Sequence, residues 1–130
     1  MADNSKIKIY LIDDDEIHLT TAELYLKDEY EVHKAKSGQE ALDYINNNKF
    51  MPNIILLDMI MPNMSGWEVF KRLREMDSLK NVPIAFLTSI AEEAEKKKAY
   101  KMGAADYIMK PFNMTELRSR VKEIRKRFKV

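Results

Sequence analysis

Four short apolar runs each end on a polar residue. Lys6–Ile12 (KIKIYLI) runs into Asp13, Asp14, Asp15 and Glu16, Ile54–Leu57 (IILL) into Asp58, Ile84–Leu87 (IAFL) into Thr88 and Ser89, and Tyr107–Met109 (YIM) into Lys110 and Pro111. Runs this short and this continuous predict parallel strands covered on both faces. Glu31–Ala35 is a weaker fifth candidate.

Helical patterns fill the intervals. Ser37 with Glu40 has capping-box spacing ahead of Ala41, Leu42 and Ile45, and Ser65 with Glu68 repeats it ahead of Val69, Phe70, Leu73 and Met76. Asn113 with Glu116 is a variant that opens an amphipathic helix through Leu117, Val121, Ile124 and Phe128. Ile17–Lys27 and Ala91–Met102 complete the set, with Asp15 as a helix-start carboxylate and Gly103 as the stop of the second. Ala91–Met102 has few large apolar residues and is expected to be loosely held. Five βα units in series imply an α/β, doubly wound parallel five-stranded sheet, with strand order 2-1-3-4-5 and ligands bound at the strands' carboxyl ends.

The 130 residues, 45% of them hydrophobic and 33% charged, suit a single domain, residues 1–130, with a core of its own. Zero cysteines exclude disulfides, thiolate metal sites and a cysteine nucleophile. The net charge of +1 gives no reason to expect nucleic acid or a membrane as partner. No apolar run approaches the roughly 20 residues of a bilayer span, and Met1–Lys8 lacks the apolar core of a signal peptide, so a cytoplasmic location is expected. The charge is unevenly placed, however: residues 1–65 carry 6 basic and 12 acidic side chains, residues 66–130 carry 16 and 9.

In the proposed strand order, Asp13, Asp14, Asp58, Thr88 and Lys110 share one rim. Clustered carboxylates repel unless a cation joins them, and an all-oxygen donor set selects a hard ion such as Mg²⁺. A carboxylate in that position can attack phosphorus, while a hydroxyl and an ammonium opposite stabilise the phosphoryl oxygens. The chain resembles the receiver domain of two-component response regulators. The resemblance extends from Lys6 to about Phe128 through Leu11–Asp15, Leu57–Gly66, Leu87–Ser89 and Tyr107–Phe112. It implies a flavodoxin-like (βα)5 fold, Asp58 as phosphoacceptor, and Asp13, Asp14, Asp58 and the Ile60 backbone carbonyl as the Mg²⁺ shell. It further implies Thr88 and Lys110 as phosphate-sensing groups, Thr88 and Tyr107 as the switch, and a cis Lys110–Pro111 bond. The implied partners are a histidine kinase or a histidine phosphotransfer protein, and a downstream effector or a second copy meeting residues 91–128.

Ile60 and Ile90 flank the expected acyl phosphate where faster-resetting receivers often carry polar groups, which implies a long-lived phosphoform. His18 and His33 read as surface or packing residues, the nine methionines as core filler, and Lys96–Lys98 as i,i+4 partners of Glu92, Glu93 and Glu95. The seven basic residues of Arg118–Lys129 partly answer the helix dipole, with no DNA-reading motif beside them.

The competing enzyme reading is an Mg²⁺-dependent phosphatase of haloacid-dehalogenase type with Asp13 as nucleophile. Ile17 stands where that signature has Thr or Val, and neither a late acidic pair nor a cap domain is visible. Flavin binding lacks a Ser/Thr/Gly-rich loop after the first strand. A degenerate receiver would have lost some of the five key residues, and all five are present.

Overall fold

The structure is a computed structural model that describes residues 6–130; the first five residues of the Met1–Lys8 stretch lie outside the described residues. Strands β1 (Ile7–Ile12), β2 (Tyr30–Ala35), β3 (Ile54–Leu57), β4 (Ile84–Thr88) and β5 (Asp106–Met109) alternate with α1 (Glu16–Leu26), α2 (Gly38–Asn48), α3 (Gly66–Arg74), α4 (Glu93–Lys101) and α5 (Met114–Phe128). All pairings are parallel and the order is β2-β1-β3-β4-β5.

Strand periodicity of two divides the apolar residues between two cores. Tyr10, Ile12, Ile55, Leu57, Ile84, Phe86 and Tyr107 pack with Ala41, Leu42, Ile45, Val69, Phe70 and Leu73 from α2 and α3. Ile9, Leu11, Ile54, Leu56, Ala85, Leu87 and Ile108 pack with Leu19, Ala22 and Leu26 of α1 and Leu117, Val121 and Ile124 of α5. Strand β3 is therefore apolar at every position, and β1 and β4 depart from this only at Lys8 and Thr88, as a sheet covered on both faces requires.

Four helices start where the sequence places their caps, α1 on Asp15, whose Oδ1 accepts from the Ile17 and His18 amides. Ser37 Oγ accepts from the Glu40 amide, Ser65 Oγ from Glu68 and Asn113 Oδ1 from Glu116. The reciprocal half of the box does not form: the Glu40 carboxylate accepts from the Lys36 amide, and that of Glu68 pairs with Arg72. Helix α4 is shorter than its sequence pattern and has no side-chain cap. It ends in a full Schellman turn, with Ala104 N donating to Ala99 O and Gly103 N to Tyr100 O, Gly103 at φ +102°. The expected ion pairs along α4 are absent among the described residues: Lys98 instead lies over the Trp67 ring at 4.6 Å. Ala99 is the one buried residue of the helix. Among the described residues no helix is long and apolar enough to cross a membrane.

Candidate functional site

Main-chain bonds carry the sheet register one residue beyond its strands and fix the site. Asp13 N donates to Ala35 O (3.1 Å), Asp58 N to Ile12 O (2.9 Å) and Lys110 N to Thr88 O (2.8 Å). The loop after β3 folds back tightly, with Gly66 N on Met59 O at 2.8 Å. A Cβ at Gly66 would run into the Asp58 carbonyl oxygen and lie 2.6 Å from the Met59 Cα, so α3 can begin so close to the strand end only with glycine there.

Asp13, Asp14 and Asp58 each offer a carboxylate oxygen within 4.8 Å of the others. Asp13 and Asp58 are buried and Asp14 is exposed. Lys110 Nζ donates to Asp13 Oδ2 at 2.7 Å and lies 3.6 Å from Asp58 Oδ2. One ammonium does not neutralise this group: burial first, then the Asp13 charge, pushes the Asp58 carboxyl up from 3.8 to about 6 against the opposing pull of Lys110. Hard oxygen donors around a charge deficit fit a divalent cation that keeps part of its water.

Thr88 and Tyr107 grip the backbone of one residue, Ile90, on its two sides. Thr88 Oγ1 accepts from Ile90 N at 3.1 Å, and the Tyr107 hydroxyl donates to Ile90 O at 2.8 Å. Tyr107 is 1% exposed and points inward. Burial, then Glu95 and Glu92, raises the pKa of its hydroxyl and keeps it a donor. The side chain of Ile60 is 61% exposed at the rim. Ile90 is half-buried and packs against the core on the side of α2 and α3. The Lys110–Pro111 bond is cis.

Two contributors escaped the sequence reading. His18 is no bystander: its Nδ1 sits 2.9 Å from Lys110 Nζ and 3.6 Å from Asp13 Oδ2. The signal was present, because Asp15 as cap places His18 in the first turn of α1, where Cβ vectors lean toward the strand ends. Asp106 is buried and binds Tyr100 Oη, Tyr107 N and Arg120, tying α4, β5 and α5 together. An acid directly ahead of an apolar run was its only signal. His33, as expected, packs, stacking on Phe50 at 4.3 Å and pairing with Glu31.

Fold and site together define a doubly wound α/β domain with a cluster of carboxylates and a lysine at its switch point. The response regulator receiver domain family matches residues 9–122, and the chain belongs to that family. It is 37% identical over 116 residues to the transcriptional regulatory protein CrdR of Helicobacter pylori, covering 88% of this chain and 53% of that protein. It is also 37% identical over 121 residues to the transcriptional regulatory protein SrrA of Staphylococcus aureus, covering 92% and 48%. The chain thus spans about half the length of the curated relatives it matches. The chemotaxis protein CheY4 of Vibrio cholerae superposes with a TM-score of 0.86 at 30% identity, over 92% of this chain and 99% of that one.

Proposed function

We propose that this receiver takes a phosphoryl group onto Asp58 from a histidine kinase or a histidine phosphotransfer protein, in an Mg²⁺-dependent reaction, and that residues 1–130 act as one signalling unit. The observation that carries this is the setting of Asp58: buried at the end of β3, charge-stressed by Asp13, and within 3.6 Å of the Lys110 ammonium. Asp13, Asp14, Asp58 and the Ile60 carbonyl would hold the cation, which supplies positive charge against the phosphoryl oxygens. An Asp58 Oδ lone pair forms the new O–P bond as the donor's P–N bond breaks, and the departing nitrogen takes up a proton. Lys110 and Thr88 stabilise the charge spread over the phosphoryl oxygens in flight.

Asp13 is a poor rival nucleophile. One of its oxygens accepts from the Asp15 amide at 2.9 Å and the other from Lys110 at 2.7 Å. With phosphoramidate and Mg²⁺, the protein should gain one hydroxylamine-labile phosphoryl group, read by intact mass, and Asp58→Asn or EDTA should abolish it. Labelling that survives Asp58→Asn and vanishes in Asp13→Asn would install the phosphatase reading instead.

The output face we assign is residues 91–128, where α4 rests on one buried residue and several lysines are exposed. Transcriptional relatives support an effector or a second copy as its partner.

A further inference from the structure

We propose that His18 is a positioning residue for phosphoryl transfer, its Nδ1 holding the Lys110 ammonium in place; this rests on Asp58 as the phosphoacceptor. An ammonium has three N–H donors and no lone pair, so a ring nitrogen 2.9 Å away can only accept, and the imidazole carries its proton on Nε2. Lys110 is nearly desolvated, its side chain 9% exposed, and its three neighbours are Asp13 Oδ2, His18 Nδ1 and Asp58 Oδ2. Two of these are the carboxylates expected to share a cation. Once their charge is drawn elsewhere, their hold on the ammonium weakens by the same electrostatics that made it strong. The imidazole is not one of those carboxylates, although its Nδ1 also stands 3.6 Å from Asp13 Oδ2 and from Asp15 Oδ2, and it holds the ammonium by a hydrogen bond rather than by charge.

The fold explains why the ring reaches this far. The Asp15 carboxylate accepts from the amides of Ile17 and His18 and starts α1 directly behind β1. His18 therefore projects from the first turn toward the end of the sheet and lines, with Lys110, a cleft of about 480 Å³ between α1 and the Lys110–Phe112 loop. Without the ring, the four-carbon stem of Lys110 regains rotamers and its charge can turn into the cleft toward water. One N–H fixed on His18 and one on Asp13 leave the third aimed at the Asp58 side of the site. Loss of that fixing affects the step in which the donor's bond to phosphorus breaks, while donor capture is left alone.

The test compares His18→Leu, which removes the acceptor, with His18→Asn, whose Oδ1 is bonded to Cγ as Nδ1 is. Residues that orient a reacting group typically matter by about 10–100-fold, and His18→Leu should lower the saturating rate of phosphoramidate transfer about 10-fold with little change in half-saturating donor. His18→Asn should recover most of the loss, with both variants melting like wild type. In the metal-free protein, long-range ¹H–¹⁵N spectra should find Nδ1 unprotonated and shifted by Lys110→Met. A His18→Leu rate equal to wild type, equal slowing by both variants, or a protonated Nδ1 would each overturn the proposal. A wild type that takes up no phosphoryl group would overturn the Asp58 reading instead, and the metal-free spectra would still decide the His18–Lys110 contact.

Discussion

Asp58 carries its charge at a cost to the folded state when no cation is present. Its folded pKa of about 6 lies above the ordinary 3.8, so the folded form binds the proton more tightly than the unfolded chain. Its contribution to stability is full below the ordinary value and is lost as pH rises through about 6. A shift of this size corresponds to about 3 kcal/mol between the limits. In urea melts without metal, Asp58→Asn should therefore be more stable than wild type at about pH 8 and lose that advantage toward about pH 4. Added Mg²⁺ should stabilise wild type alone, because a ligand of the folded state adds stability by mass action. An Asp58→Asn protein no more stable than wild type at the higher pH would contradict the electrostatics. Ile60 bears on timing at the same scale. Its exposed side chain can orient no water, whereas Ile90 is committed to the core. Ile60→Asn should hasten phosphate loss from the phosphoform, by up to about 100-fold if the new amide positions the attacking water, and by more than Ile90→Glu. Phosphate release after removal of donor would measure both.

Helix α4 differs from its neighbours in what fastens it. Helices α2, α3 and α5 start on side-chain caps and each bury several residues in a core. Helix α4 has no such cap, one buried alanine, the Schellman turn and the Lys98–Trp67 contact. Such an element opens locally at lower free energy than the rest. Amide exchange should be faster through Lys97–Lys101 than through Leu42–Ile45 or Val121–Ile124, and equal protection would refute the reading. Gly103→Ala tests the turn itself. Nothing lies within 4 Å of the added Cβ, so any effect comes from the φ of +102° alone. We expect a loss of about 1 kcal/mol and a further rise in α4 exchange.

Across the whole molecule, the acidic first half holds the carboxylate cluster, and the basic second half holds the face assigned to output. Much of the arginine charge there is already used: Arg118 bonds Tyr25 O, Arg120 bonds Asp106 and Arg127 bonds Ala105 O. The exposed lysines of α4 and α5 remain for a partner. Site and face are joined through Ile90, whose amide meets Thr88 and whose carbonyl meets Tyr107. Drawing the Thr88 hydroxyl onto a phosphoryl oxygen would release the amide and leave Tyr107 holding the carbonyl. A ligand shifts such an equilibrium only through its different affinity for the two states. With a beryllofluoride mimic of the phosphoryl group, chemical-shift changes should extend from Asp58 through Ile90 and Tyr107 into α4. Changes confined to Asp13, Asp58 and Lys110 would rule out this route.

The strands, the caps and the polar residue ending each run were legible because they depend on neighbours a few positions apart. Strand order followed from the number and succession of the βα units. The tertiary structure alone decided what depends on distant partners. Lys110 meets Asp13 across 97 positions and His18 across 92, so neither pairing leaves a trace in local pattern. The expected α4 ion pairs gave way to a contact with Trp67, since a side chain takes whichever partner the packed core presents. The raised pKa of Asp58 and the inward Tyr107 are likewise products of burial. Desolvation is set by the closing of two cores around one sheet, and no stretch of the chain contains it.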